Sequence, residues 1–140
     1  MTPYHVTRDI AAPPETVWSI LTDANRLSDG SFSIIRIDGR IAAGQSFKLW
    51  STVDPKRAFP IKVAVMQPAQ RMEWHGGMPL GLFLGNRQFS LTPIGTGTRF
   101  DMRETYSGPL KGLITRFIPD LQPSFETFAN ALKAAAEDTP

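Results

Sequence analysis

Residues 71–108 read RMEWHGGMPLGLFLGNRQFSLTPIGTGTRFDMRETYSG, which predicts a strand, a glycine-rich loop and a long β-hairpin. The two arms of the hairpin are residues 82–94 and 97–107, and both alternate apolar with polar side chains. Gly95-Thr96 between the arms is a Gly-X pair, which two-residue type II′ turns prefer. A slightly wider four-residue loop would give the same pairing, so the sequence predicts one register for the hairpin.

This register places Arg87 directly opposite Glu104. Because side chains alternate across a strand, one face of the hairpin carries both charges together with several apolar side chains. The apolar members identify that face as the interior. The Arg87/Glu104 pair is then either a partly wet ion pair at the rim of a sheet or a pair of polar anchors in an apolar pocket. The face consists of Arg87, Phe89, Leu91, Phe100, Met102, Glu104 and Tyr106.

The composition excludes several classes of protein. A chain of 140 residues with 41% hydrophobic and 20% charged residues is typical of one folded domain rather than a disordered protein. The net charge is only +2 and the basic residues are scattered singly, so we expect no nucleic-acid partner. Because cysteine is absent, a disulfide scaffold, a thiolate metal site and a cysteine nucleophile are excluded.

The chain shows no sign of a membrane-spanning or secretory segment. Residues 1–10 lack the apolar stretch of a signal peptide, and no apolar run approaches the roughly 18 residues that span a bilayer. We therefore expect a soluble, cytoplasmic protein without stable membrane insertion. Residues 110–118 carry Lys111 and Arg116 opposite an apolar stripe, which is compatible with contact with a membrane surface. The segment is too short to favour that interpretation over ordinary packing.

Turn residues and apolar periodicity predict a strand, a short helix, six further strands and a helical tail. Pro13-Pro14 ends the first strand and starts a helix that ends near Asp23. The connections between strands are too short for helical crossovers, so the sheet is expected to be antiparallel. Pro119 and Pro123 are expected to break or kink the tail into two pieces. The predicted strands are residues 4–11, 31–41, 46–53, 58–67, 70–75, 82–94 and 97–107, and the tail helices are residues 110–118 and 125–136.

An α+β arrangement satisfies this order of elements. A curved seven-stranded antiparallel sheet would wrap around the long C-terminal helix, because nothing else in the chain is large enough to cover the apolar face of the sheet. A short helical element would follow the first strand, near residues 14–23.

Several segments resemble a known superfamily. They are IAAPPETVWSILTD (residues 10–23), MEW (72–74), FSLTP (89–93), GTRF (97–100), ETYSG (104–108) and LKAAAE (132–137). Together they are similar to the START-like polyketide cyclase/dehydrase and lipid-transport superfamily (SRPBCC), the helix-grip proteins. The resemblance implies a hydrophobic cavity between the sheet and the C-terminal helix. It does not determine the function, because this superfamily includes lipid and hormone carriers, aromatic-ring cyclases and co-chaperones.

The usual signatures of catalytic and cofactor sites are missing. His5 and His75 are the only histidines and lack metal-ligand spacing, so no metal is expected. There is no Gly-x-Ser-x-Gly motif, and alternation with the inward Met72 and Trp74 predicts that His75 points outward. The Gly-x-Gly of the hairpin turn lacks the third glycine of a dinucleotide site, so no cofactor is expected. The glycine-rich loop at residues 76–85 is either a plain connection or a gate at a cavity mouth.

Two functions fit these residues best. The first is non-catalytic binding or carrying of a small, largely hydrophobic molecule whose carboxylate or hydroxyl contacts Arg87 and Tyr106. The second is a cyclase or dehydratase-type lyase, in which Glu104 transfers protons while Arg87 and Tyr106 stabilise an enolate oxygen. A co-chaperone or protein-binding role is a further alternative, and the sequence carries no signal for an oligomeric state. The predicted ligand-binding residues are Arg87, Glu104, Tyr106, Phe89, Met102, Trp74 and Phe117.

Overall fold

The computed structural model describes residues 4–117 and 119–138. They form the predicted α+β fold, a seven-stranded antiparallel sheet with short helices after the first strand and a long C-terminal helix. The strand order in the sheet is β1-β7-β6-β5-β4-β3-β2. The strands are β1 (Tyr4–Ile10), β2 (Ile34–Gly39), β3 (Ser46–Ser51), β4 (Asp54–Gln67), β5 (Arg71–Gly77), β6 (Leu84–Ile94) and β7 (Gly97–Ser107). The helices are α1 (Pro14–Leu21), α2 (Ala24–Leu27), α3 (Lys111–Ile114) and α4 (Gln122–Glu137), and a 3-10 turn spans Pro79–Gly81.

The β6/β7 hairpin has the predicted register, with Arg87 paired to Glu104. Gly95 has a φ of +59°, whereas Thr96 lies outside the left-handed region, which is the combination of a type II′ turn. The apolar face of the hairpin is the interior, as predicted. Its buried members are Phe89, Leu91, Phe100 and Met102.

Two strands differ from the prediction by more than two residues at one end. The strand predicted at residues 31–41 is reduced to Ile34–Gly39, because Ser33 has a φ of +64° and its left-handed backbone cannot continue a strand. The strand predicted to begin at residue 58 begins at Asp54 instead. Ser51 pairs with Asp54, so the chain reverses over the two intervening residues and the Asp-Pro pair lies within β4.

The tail contains two helical pieces, but the first is much shorter than predicted. The helix predicted at residues 110–118 covers only Lys111–Ile114, and the second begins at Gln122. Pro123 therefore lies in the first turn of α4, where its missing N–H costs no hydrogen bond. The predicted apolar stripe of the first piece is only partly packed, because Leu113 is 53% and Phe117 is 79% exposed. Ile118, the last member of that stripe, lies outside the described residues.

Helix α4 is held by apolar packing on one side and by polar contacts with β1 on the other. Its buried stripe closes the core against the sheet, and the Phe128 ring lies 6.0 Å from Phe89 and 6.4 Å from Phe100. Arg8 of β1 forms an ion pair with Glu126. The stripe consists of Phe125, Phe128, Ala129, Leu132 and Ala136, and further polar contacts join Gln122 to His5, Lys133 to Asp9 and Glu137 to Ala11.

Candidate ligand-binding cavity

A cavity of about 440 Å³ lies between the concave face of the sheet and the start of α4. This volume falls in the range of sites for small organic molecules. Most of the wall is apolar, and much of it is aromatic. Its apolar members include Leu49, Phe59, Ile61, Phe83, Met102 and Phe125.

A pair of glycines explains why the sheet is open here. Gly76 of β5 pairs with Gly85 of β6, and both lie on the inner face because they alternate with Trp74 and Arg87. The floor of the cavity therefore lacks side chains at two neighbouring positions, and both glycines line it. Further along the same strands, large aromatic side chains meet α4 and fill the space completely. The cavity therefore occupies the end of the interior where these two inward positions have no side chain.

Three polar side chains from β6 and β7 meet at the wall. Arg87 Nε donates to Glu104 Oε1 at 3.3 Å, and the Tyr106 hydroxyl donates to Glu104 Oε2 at 2.7 Å. The Arg87 and Glu104 side chains are 23% and 12% exposed, so the pair is largely but not fully removed from solvent. Both oxygens of the Glu104 carboxylate are engaged. This group of three residues is called the polar cluster below.

The guanidinium of Arg87 is fixed by an aromatic ring. Its Cζ atom lies 4.7 Å from the ring centroid of Phe125 on α4, a cation–π distance. Of the Arg87 guanidinium nitrogens, Nε donates to Glu104, and the terminal NH₂ groups make no hydrogen bond with the described residues. Because Arg87 lines the cavity, these groups are available to a bound molecule.

Tyr106 is held in its neutral form. Burial raises the pKa of its hydroxyl above the usual 10.0, and the adjacent Glu104 charge and hydrogen bond raise it further. The phenol packs against Phe83, with ring centroids 5.4 Å apart and nearly parallel. Since its proton is donated to Glu104, Tyr106 would have to break that bond before it could donate to the enolate oxygen of a substrate.

The structure brings together six of the seven predicted ligand-binding residues. Arg87, Glu104, Tyr106, Met102, Trp74 and Phe117 line the cavity. Phe89 does not, because it lies at the level where α4 closes on the sheet and is completely buried in the core. Phe117 is at the exposed mouth rather than in the interior. The Trp74 indole is buried in edge-to-face contact with Phe47 and Phe89, and its Nε1 has no hydrogen-bond partner among the described residues.

Sequence reasoning missed several parts of the wall. Phe125 was predicted as packing for α4 but also covers Arg87, and no local pattern relates these two residues. Gly76 and Gly85 fall within the predicted glycine-rich loop, although their alternation with Trp74 and Arg87 indicates that they face inward. The cavity also contains hydroxyl groups from distant segments, and the left-handed Ser33 that positions one of them has no sequence signature. These are Ser33, Ser51 and Ser124, and the Ser33 and Ser124 hydroxyls are 3.3 Å apart.

The glycine-rich loop borders the mouth of the cavity. Met78 N donates to Phe83 O at 2.8 Å, which closes the loop at its base. Leu80 at the tip has a φ of 61° and is 95% exposed, whereas Phe83 is buried and lines the wall. This arrangement fits either a connection or a gate, and movement of the loop stays a prediction.

Outside the cavity, a second group of polar side chains lies on the outer face of the sheet around β5. His75 points outward as predicted, with Nε2 at 3.1 Å from Glu73 Oε1. Asn86 Nδ2 donates to the same oxygen, and Arg71 forms an ion pair with the other. Burial raises the pKa of Glu73, but the hydrogen bonds from His75, Asn86 and Arg71 outweigh it and bring the pKa below the usual 4.5.

Residues 4–117 and 119–138 contain neither a candidate metal site nor a membrane-spanning helix. Within that part of the chain, no group of three or more His, Cys, Asp or Glu side chains could hold a metal ion. No helix in the same residues has the length and hydropathy needed to cross a bilayer.

Comparison with known proteins gives a family and a fold. A family model described as polyketide cyclase / dehydrase and lipid transport matches residues 1–137. No curated protein matches the chain. Solved structures do: protein MLL2253 from Mesorhizobium loti is 20% identical, with a TM-score of 0.74 and 97% of each chain covered. Protein CV1439 from Chromobacterium violaceum is 16% identical, with a TM-score of 0.70 and 95% of each chain covered.

A third structure is that of DynU16, a protein in the dynemicin biosynthetic locus. It is 17% identical with a TM-score of 0.70, and the match covers 96% of this chain and 47% of DynU16. At these identities the likeness shows the fold alone.

Proposed function

We propose that this chain, which belongs to the polyketide cyclase / dehydrase and lipid transport family, binds a small, largely hydrophobic molecule between its sheet and α4. The observation that carries the proposal is the 440 Å³ cavity with its largely apolar wall and its polar cluster. Apolar surface lowers its free energy when a ligand replaces water, and a few convergent polar groups fix the orientation of that ligand.

The state of Glu104 supports binding over proton transfer. A general base needs a lone pair directed at the proton it removes. Here Oε1 accepts from Arg87 and Oε2 accepts from Tyr106, so about half of the acceptor positions of the carboxylate are already used by its neighbours. A cyclase or dehydratase activity would have to use one of the remaining lone pairs of a carboxylate that already accepts hydrogen bonds from Arg87 and Tyr106. That activity is the alternative, and conversion of a bound enolisable ketone by the wild-type protein would favour it.

A cavity-filling variant tests the proposal directly. A Cβ atom on Gly85 would lie 3.5 Å from Gly76 O and from Tyr106 Cε1, which is ordinary contact, so Gly85→Val is compatible with the strand. Its side chain would project into the cavity. We expect the neutral apolar dye Nile red to bind the wild type and Gly85→Val to weaken that binding by about tenfold or more.

The matched control is the same substitution at Gly112, where an added Cβ meets nothing within 4 Å. Gly112→Val should bind the dye as the wild type does, and circular dichroism should show both variants folded. Equal binding by the wild type and a folded Gly85→Val would place the dye elsewhere and contradict the proposal.

A further inference from the structure

We infer that the polar end of the bound molecule is an uncharged hydrogen-bond acceptor, such as a ketone, quinone or ester carbonyl, rather than a carboxylate or phosphate. The inference rests on the proposed function, because it names the chemical class of ligand for the same cavity.

The charges that line the cavity cancel. Two guanidinium groups, of Arg57 and Arg87, face two carboxylates, of Asp54 and Glu104. Arg57 is exposed at the mouth and stacks on Phe59, with its Cζ 5.4 Å from the ring centroid, so solvent screens its charge. Among the described residues, Arg87 is the one cation in the interior of the cavity, and its charge is already compensated by Glu104 at 3.3 Å. A ligand anion would therefore lose its hydration without gaining an unpaired cation.

A carboxylate at this position would also be repelled. To reach the terminal NH₂ groups of Arg87 it must approach the guanidinium that Glu104 already contacts, which places two anions around one cation. Tyr106 cannot relieve this repulsion, because its hydroxyl already donates to Glu104 at 2.7 Å. Like charges that share a low-dielectric site disfavour the charged form of both groups.

A neutral carbonyl oxygen has no charge to desolvate, and the Glu104 carboxylate does not repel it as it would repel an anion. The Nε of Arg87 is used by Glu104, which leaves the two terminal NH₂ groups as donors, and the stack on Phe125 holds the guanidinium plane in place. A carbonyl oxygen can accept from these groups while the ion pair stays intact. The donors are ordered before the ligand arrives, so little conformational entropy is lost on binding.

The test uses three probes with one apolar body: 2-acetylnaphthalene, which is neutral, 2-naphthoate, which is an anion, and naphthalene, which has no polar group. Each displaces Nile red near neutral pH. For the wild type we expect 2-acetylnaphthalene to bind about tenfold or more tightly than 2-naphthoate. Arg87→Met should weaken 2-acetylnaphthalene by about fivefold or more and leave naphthalene unchanged.

Glu104→Gln reverses the prediction for the anion. It removes the compensating charge while keeping an acceptor for Tyr106, so 2-naphthoate should bind about tenfold or more tightly than to the wild type. The control is Asp9→Asn, which changes the net charge equally but on a 66% exposed side chain that does not line the cavity, and it should have little effect. Circular dichroism of each variant establishes that it is folded, and the wild-type comparison stands even if Glu104→Gln is not.

Two results would overturn the inference while leaving the proposed function intact. One is tighter binding of 2-naphthoate than of 2-acetylnaphthalene by the wild type. The other is a folded Glu104→Gln protein with no gain for 2-naphthoate. If neither Nile red nor any naphthalene binds the wild type, the proposed function itself fails and the inference fails with it.

Discussion

The free energy that couples Arg87 to Glu104 can be predicted from their burial and measured in a double-mutant cycle. The variants are Arg87→Met, Glu104→Gln and the double mutant, and urea unfolding gives the free energy of unfolding of each. Methionine keeps most of the length of the arginine side chain, and glutamine keeps an acceptor for the Tyr106 hydroxyl. The cycle therefore isolates the contact between the guanidinium and the carboxylate.

The expected coupling lies between two limits. Exposed ion pairs contribute about 0–1 kcal/mol, and breaking a fully buried pair costs about 3–5 kcal/mol. The Arg87 and Glu104 side chains are 23% and 12% exposed, and a single hydrogen bond at 3.3 Å joins them. A hydrogen bond to a charged group in such a setting contributes about 1.5–3 kcal/mol, so we expect a coupling of about 2 kcal/mol.

The Asp9/Arg99 pair provides a matched control on the outer face. It is also a cross-strand contact of an arginine Nε with a carboxylate, and its distance of 3.0 Å is shorter than that of the cavity pair. However, the Arg99 and Asp9 side chains are 55% and 66% exposed. If burial rather than distance decides the strength, the cycle with Asp9→Asn and Arg99→Met should give a coupling indistinguishable from zero.

Two outcomes would refute this reasoning. A coupling below about 0.5 kcal/mol for Arg87 and Glu104 would mean that water separates them in solution and that the polar cluster is not preorganised. A larger coupling for Asp9 and Arg99 than for the cavity pair would mean that distance outweighs burial.

Two further predictions concern the core and the outer face. Phe128→Ala should cost about 3–5 kcal/mol in the free energy of unfolding, because Phe128 is buried where α4 closes on the sheet, whereas Phe117→Ala should cost under about 0.5 kcal/mol. A loss below about 1 kcal/mol for Phe128→Ala would contradict the assigned helix face. Because the pKa of Glu73 is lowered in the folded protein, its contribution is present above the usual 4.5 and is lost as the pH falls through the lowered value. Urea unfolding at decreasing pH should therefore show a shallower loss of stability for Glu73→Gln than for the wild type, and parallel curves would count against this.

The sequence predicted those features that depend on neighbouring residues. The β6/β7 register follows from Gly95-Thr96 and the alternation of side chains, so the pairing of Arg87 with Glu104 could be obtained without a structure. The stripe on α4 follows from helical spacing in the same way. Local rules were sufficient because both elements bury one face against a single apolar layer.

The placements that the sequence did not give depend on where one element ends relative to another. Alternation assigns Phe89 and Arg87 to the same face but not to a level along the strand, and only α4 distinguishes them. Phe128 covers the level of Phe89 and makes it core, whereas Phe125 covers Arg87 at the edge of the cavity. Phe117 lines the cavity from its exposed mouth rather than from the interior for a related reason, because α3 ends before it.

Burial alone does not identify the polar cluster as the candidate site. Glu73 on the outer face has a side chain that is 7% exposed, less than the 12% of Glu104, and it also has an arginine partner. Alternation places Glu73 on the outer face and predicts that it is exposed. It is buried instead, because Arg71, His75 and Asn86 cover it. What distinguishes Arg87 and Glu104 is the space beside them. The next inward position on β6 is Gly85, and its partner on β5 is Gly76, so the unused donors of Arg87 face a cavity instead of solvent.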